Sequence, residues 1–188
     1  MNILVSPSDR ANYYFRSDST MVRALEDYYI PDYIGKLSVV PVVCFRLCRA
    51  GKSIARPFVH RFIGPFNHGI LLKPELADSS APNRDFIENS LDYTTIIPLK
   101  MYPVEQYSRA PGNVLPFKVE INGKCVFETG SLPPFDTVLE EFHKISGFCS
   151  VRTGDFLALE ISGPINTAGG DYITAVSGTD RICGITVR

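Results

Sequence analysis

Apolar and polar positions along this chain change phase every few residues, and fourteen Gly and fourteen Pro supply most of the breaks. Punctuation this dense favours short strands over a helical bundle. Val39 to Cys48 is apolar at nearly every position, the pattern of an internal strand covered on both faces. Pro41 inside it lacks a ladder donor and counts against that reading. Phe117, Val119 and Ile121 alternate with Lys118 and Glu120, and Asn122-Gly123 then turns the chain into Cys125 to Glu128. This predicts a hairpin closed by a type I′ turn. Further strands are predicted at Tyr28 to Ile30, Phe156 to Ile161, Tyr172 to Ser177 and Ile182 to Val187. Helical periodicity is clear only from Asp136 to Ser146, with Val138, Leu139, Phe142 and Ile145 on one face and Glu140, Glu141 and Lys144 outside. Gly147 is its expected stop. A shorter helix is expected from Ser53 to Phe62 with Ser53 as its cap. The fold class is mostly β with few helices, an α+β chain.

With 188 residues, 45% hydrophobic and 21% charged, the chain can bury one core, and a single domain over residues 1–188 is expected. Nineteen Lys+Arg against twenty Asp+Glu leave a formal charge of −1, which creates no global field for nucleic acid or an anionic membrane. The distribution is uneven. No carboxylate occurs between Asp32 and Glu75, whereas Lys36, Arg46, Arg49, Lys52, Arg56, Arg61 and Lys73 all fall in that window. A nucleic-acid patch there is disfavoured, because Arg46 and Arg49 on a strand would not line up with Arg56 and Arg61 on a helix.

No apolar run approaches the roughly 20 residues of a membrane helix, and Met1 to Ser6 is too short and uncharged for a signal peptide, so a cytoplasmic location is expected. Cys44, Cys48, Cys125, Cys149 and Cys183 are odd in number and lack C-x-x-C spacing, which argues against a disulfide framework or a zinc site and for buried, inert thiols. His60, His68 and His143 stand alone and read as surface or structural groups. Gly163-Pro164 and Gly169-Gly170 read as turns, since neither opens a helix with phosphate-loop spacing.

A specific resemblance emerges from the order of small motifs. Asn122-Gly123 in its hairpin, a helix ending Ile145-Ser146, Val151-Arg152-Thr153-Gly154-Asp155-Phe156 and then Gly170-Asp171-Tyr172-Ile173 follow one another as in the fumarylacetoacetate hydrolase family. Upstream, Phe15-Arg16-Ser17-Asp18-Ser19-Thr20 is similar to the family's F-x-K-x-x-S/T-A segment, and Ala50-Gly51-Lys52 to the turn after its central strand. The resemblance covers residues 15 to 188 and leaves 1–14 as a divergent segment. It implies a mixed β-sheet of the family's β-roll type, a homodimer, and hydrolase, decarboxylase or isomerase chemistry on 2-oxo acids.

The resemblance also implies Mg²⁺, held by an E-x-E pair on the central strand and an Asp on a later one. Mg²⁺ takes hard oxygen ligands in octahedral geometry and polarises the 2-oxo acid, and E-x-E spacing puts both carboxylates on one strand face. Carried onto this chain, these positions are Val40, Val42 and Leu71, and no register slip brings in an acid. The family's N-terminal His and Glu are missing after Asn12-Tyr13. Its pocket lysine corresponds to Arg84, its Q-x-G-N/D-T segment ends at Ser131, and Arg16 stands where Lys is common. Arg16, Ser19, Arg84 and Ser131 are thus candidate anion-binding remnants, with ordinary polar roles as the alternative.

Three functional expectations follow. The first is a degenerate relative of the acylpyruvate hydrolases, decarboxylases and isomerases, a pseudoenzyme without metal. The second is an enzyme working on a 2-oxo dicarboxylic acid through an atypical site, in which cations and backbone donors would replace the metal's electrostatics. The third is a module binding a small anion or, less in keeping with the charge balance, nucleic acid.

Overall fold

The computed structural model describes residues 1–22, 27–109, 115–129 and 132–188. One large sheet has the path β2 (Tyr14–Ser17), β1 (Asn2–Ser6), β8 (Phe156–Glu160), β3 (Ile34–Leu47), β4 (Ile63–Leu76), β5 (Thr95–Ile96). A further strand, β9 (Ile165–Thr167), pairs with β3 beyond the end of β8. The β1–β8 pair is parallel and the other pairs are antiparallel, so the sheet is mixed. A second, antiparallel sheet has the order β11 (Asp180–Thr186), β10 (Tyr172–Ser177), β6 (Phe117–Ile121), β7 (Lys124–Thr129). Among the described residues three α-helices accompany them, α1 (Arg84–Ser90), α2 (Val104–Arg109) and α3 (Phe135–Phe148). No described helix is long and apolar enough to cross a membrane.

The large sheet does not end freely at β2 and β5. Met21, just past β2, forms a parallel bridge with Thr95 of β5, and the Val22 N–H donates to Thr95 O at 2.9 Å. The sheet therefore curls until its two ends meet, which satisfies edge groups that would otherwise face an unpaired side. Its inner face carries Ile3, Val5, Val40, Val42, Cys44, Leu71, Phe156 and Ala158 in one apolar cluster. The opposite face divides between two others. Leu4, Val43, Phe45, Leu157 and Leu159 pack under Val138, Phe142 and Ile145 of α3, while Leu37, Val39, Ile70 and Leu72 meet Phe117, Val119 and Ile173 of the small sheet.

Pro41 does lie within a central strand, and the sheet accommodates it. Its flank toward β8 and β9 falls between Val42, which pairs with Glu160, and Val39, which pairs with Ile165. Pro41 O accepts from the Ile161 N–H at 3.0 Å, and the missing donor sits where the chain passes from β8 to β9. The hairpin turn is as predicted in kind, with positive φ at both Asn122 (53°) and Gly123 (75°).

Several expectations are corrected. Strand β4 escapes the periodic reading because it is apolar at most positions on both faces and carries Pro65 and Pro74. Residues 53 to 62 form a 3-10 segment over Arg56–Arg61 rather than an α-helix, and Ser53 has φ 49° and caps nothing. The stretch Tyr28 to Ile30 contributes a single bridge, Tyr28 with Val187. Helix α3 continues through Gly147 to Phe148. Glu141 is buried, not outward, accepting from Ser6 Oγ at 2.6 Å and Tyr13 OH at 3.1 Å. Of the thiols, Cys44 and Cys183 are buried but Cys48 and Cys125 are exposed.

His68 of β4 ties the two sheets together. Its ring stacks on Phe117 at 4.5 Å between centroids, and its Nδ1 shares a 2.7 Å hydrogen bond with Ser177 Oγ. Burial pulls its pKa from 6.5 down to about 4. The unfolded chain therefore binds the proton more readily, and His68 withdraws about 3 kcal/mol of stability as pH falls from its unfolded value through that window. Urea unfolding between pH 7 and 4.5 should show this slope, and His68→Phe should flatten it.

Candidate functional site inside the curled sheet

The site begins with the β3–β4 register. Val40 lies directly opposite Leu71, and Val42 opposite Gly69, so Val40, Val42 and Leu71 share one face and converge on one another. All three are fully buried. Gly69 is required here by close approach, since a Cβ would lie 2.6 Å from Ile96 O of β5.

Arg16 comes onto this face from β2, where its partner is Ile3. Its side chain crosses to the far end of the sheet. Nη1 donates to Thr94 O at 2.9 Å and to Thr94 Oγ1 at 3.0 Å, and Nη2 donates to Leu72 O at 2.8 Å. These acceptors are all neutral, and burial pulls the guanidinium pKa down. Nε has no partner.

Next to Arg16 is an ion pair that links β4 to β8 across β3. Lys73 Nζ lies 2.5 Å from Glu160 Oε1, which also accepts from Tyr14 OH at 2.7 Å, while the Ser8 N–H donates to Glu160 Oε2 at 3.2 Å. Lys73 is registered with Ser38 and Glu160 with Val42, so the pair spans the β3 position of Val40. Tyr14 is flanked by both cations, with Lys73 Nζ 4.8 Å and Arg16 Cζ 5.9 Å from its ring centroid. Burial raises the Tyr14 phenol far above its usual range, and it stays neutral.

No family model matches the sequence, and no curated protein sequence matches it either. Solved structures do match. A protein of the fumarylacetoacetate hydrolase family from Yersinia pestis superposes with a TM-score of 0.73 at 14% identity, covering 100% of this chain and 92% of that one. Maleylpyruvate hydrolase from Sphingobium gives 0.73 at 15% identity over 99% of this chain and 69% of that one. Fumarylpyruvate hydrolase from Pseudomonas aeruginosa, solved in complex with Mn²⁺ and pyruvate, gives 0.73 at 13% identity over 100% and 89%. This chain has the fumarylacetoacetate hydrolase fold. Its mixed, curled sheet agrees with the β-roll expected from the motif order.

Within the fumarylacetoacetate hydrolase fold the sequence-derived candidates separate. Arg16 is on the inner face beside Val40, Val42 and Leu71. Ser19 is exposed, its hydroxyl 2.6 Å from Ser17 Oγ. Arg84 opens α1 and donates from Nε to Glu88 Oε1 at 2.7 Å, an oxygen that also accepts from the Leu76 N–H. Its polar contact is thus within α1, and Glu88 in turn reaches β4. Ser131 lies outside the described residues. Lys73, Glu160 and Tyr14 were missed by motif matching. A lone Glu ending the apolar run Phe156 to Leu159, and a Lys closing Ile70 to Leu72, were the available signals.

A divalent ion does not fit the residues present at the three expected positions. Val40, Val42 and Leu71 have no lone pairs to offer, and the carboxylate brought onto this face, Glu160, already meets an ammonium, a phenol and an amide. Burying such aliphatic side chains instead stabilises the sheet by about 1.5–3 kcal/mol each.

The Arg16 clasp can be measured directly. Replacing Arg16 with Met takes the guanidinium donor from Leu72 O and leaves Thr94 O with the Leu72 N–H as donor, and a loss of about 2–4 kcal/mol in urea unfolding is expected. Arg16→Lys should recover less than half of it, because one ammonium lacks the planar fork that reaches both strands.

Proposed function

We propose that this chain is a degenerate, metal-free protein of the fumarylacetoacetate hydrolase fold that has lost the metal-dependent chemistry of the 2-oxo acid hydrolases and isomerases it resembles. The observation that carries this reading is the convergence of Val40, Val42 and Leu71, fully buried, at the three positions where the motif order expects carboxylates. An unfilled carboxylate site suffers mutual repulsion between its acids, whereas an apolar one is stable without metal. A cytoplasmic homodimer belongs to the same reading.

A second reading is favoured by Lys73, Glu160 and Tyr14. On it, the chain is an active C–C hydrolase, decarboxylase or isomerase of a 2-oxo acid whose electrostatics come from fixed cations. Nucleic-acid binding finds less support, because Lys36 and Arg56 in the basic window are engaged by Glu75, Asp136 and Glu140.

The purified protein, melted with and without Mg²⁺ or Mn²⁺ while acylpyruvates and oxaloacetate are offered as substrates, tests the first reading. Neither metal should produce turnover or a saturable rise in Tm. An ion bound at a hundred times its Kd would contribute about 2.7 kcal/mol, so a shift of several degrees overturns the proposal.

A further inference from the structure

We infer that Lys73 is a covalent carbonyl-capture site, forming an imine with a small anionic ketone such as a 2-oxo acid. The inference rests on the metal-free reading and goes beyond it by naming the nucleophile and the class of ligand. The geometry supplies what amine attack on a carbonyl needs. Lys73 Nζ is 2.5 Å from Glu160 Oε1, within reach for proton transfer. Tyr14 OH and the Ser8 N–H fix that carboxylate by one hydrogen bond to each oxygen. The Lys73 side chain keeps 29% exposure while that of Glu160 keeps 3%, so the lysine borders solvent and its base is held in a dry setting.

The step balances on these groups. Glu160 takes a proton from the Lys73 ammonium, and the free amine adds to the carbonyl carbon to give a carbinolamine. The proton returns from Glu160 as the carbinolamine oxygen leaves as water, and a protonated imine remains. Such an imine withdraws electrons from the adjacent carbon much as a metal-bound carbonyl does, and it does so without a metal. The preference for an anion follows from charge. Lys73 and Arg16 both flank Tyr14, and Glu160 balances only one of them.

Among the described residues another lysine is paired with a deeply buried carboxylate, Lys144 with Glu141 at 3.2 Å, and it provides an internal control. It lies on the surface of α3 with 44% of its side chain exposed. Incubation with pyruvate and cyanoborohydride, followed by peptide mass spectrometry, should yield one reduced adduct on Lys73, with Lys144 and Lys100 unlabelled. Acetone should label Lys73 at least about tenfold more slowly. Lys73→Arg keeps the positive charge and cannot form an imine, so it should abolish the adduct with Tm preserved. Glu160→Gln should slow trapping by about tenfold or more. Labelling spread over the lysines according to exposure, equal labelling by acetone, or an undiminished adduct in Lys73→Arg would each overturn the inference. Absence of any adduct would remove the lysine site and leave the metal-free reading intact, whereas metal-dependent turnover would remove that reading whatever the trapping result.

Discussion

A fully buried guanidinium is tolerated where acceptors meet most of its N–H groups, and Arg16 Nη1 and Nη2 find theirs at the opposite end of their own sheet. Reaching from β2 to Leu72 O on β4 and Thr94 O beside β5, it works together with the Met21–Thr95 bridge to hold the two ends of the curl. Strand twist alone would curl a sheet of this size without fixing where it closes. The planar fork, which two neutral carbonyls on adjacent strands can satisfy together, makes the closure specific. Because the acceptors are uncharged, they do not neutralise the guanidinium, and groups placed on the inner face lie in its field.

Closure also decides what the interior can contain. A sheet of so few strands encloses little more than its own side chains, and Val40, Val42, Leu71, Ile3, Val5, Phe156 and Ala158 occupy that space. The close approach of Ile96 O to Gly69 shows how tightly β5 is drawn in. Polar groups are consequently displaced to one end of the curl, where Glu160 and Lys73 meet across β3. Cluster and ion pair are two consequences of one geometry.

Local signals made the antiparallel hairpin and α3 readable from sequence, because Asn122-Gly123 and a one-sided apolar stripe each specify their structure without outside help. Strand β4 was not readable. Covered on both faces, it has no period, and only its pairing with β3 defines it. Ser53 shows the same limit in a different way, since its positive φ and the Ser53 N–H bond to Ser146 O arise from the approach of α3, a partner far away in the chain. At the site, Val40, Val42 and Leu71 could be placed on a common face because strand spacing is regular. Glu160 could not, since a residue from β8 enters a window that the sequence shows as free of acids. Conversely, Arg84 sits in a motif-like segment yet bonds to its own helix neighbour, as an i,i+4 pair commonly does.

The acid-free window thus acquires a different physical meaning once the sheet is closed. Three carboxylates around a divalent ion would leave the inner face with a net charge of about −1, which repels an anionic ligand unless the ion itself binds it. Among the described residues Lys73 and Arg16 face one carboxylate, Glu160, and Tyr14 remains neutral, so the balance has the opposite sign. The reversal is covalent and permanent, needing no metal supply and no preorganised set of acids. It also restricts the chemistry. A divalent ion can hold two substrate oxygens at once, whereas an ammonium can only donate hydrogen bonds or, once deprotonated, attack carbon. In this fold Glu160 is held against Lys73 and shielded from water, with the Tyr14 hydroxyl and the Ser8 N–H donating to its two oxygens.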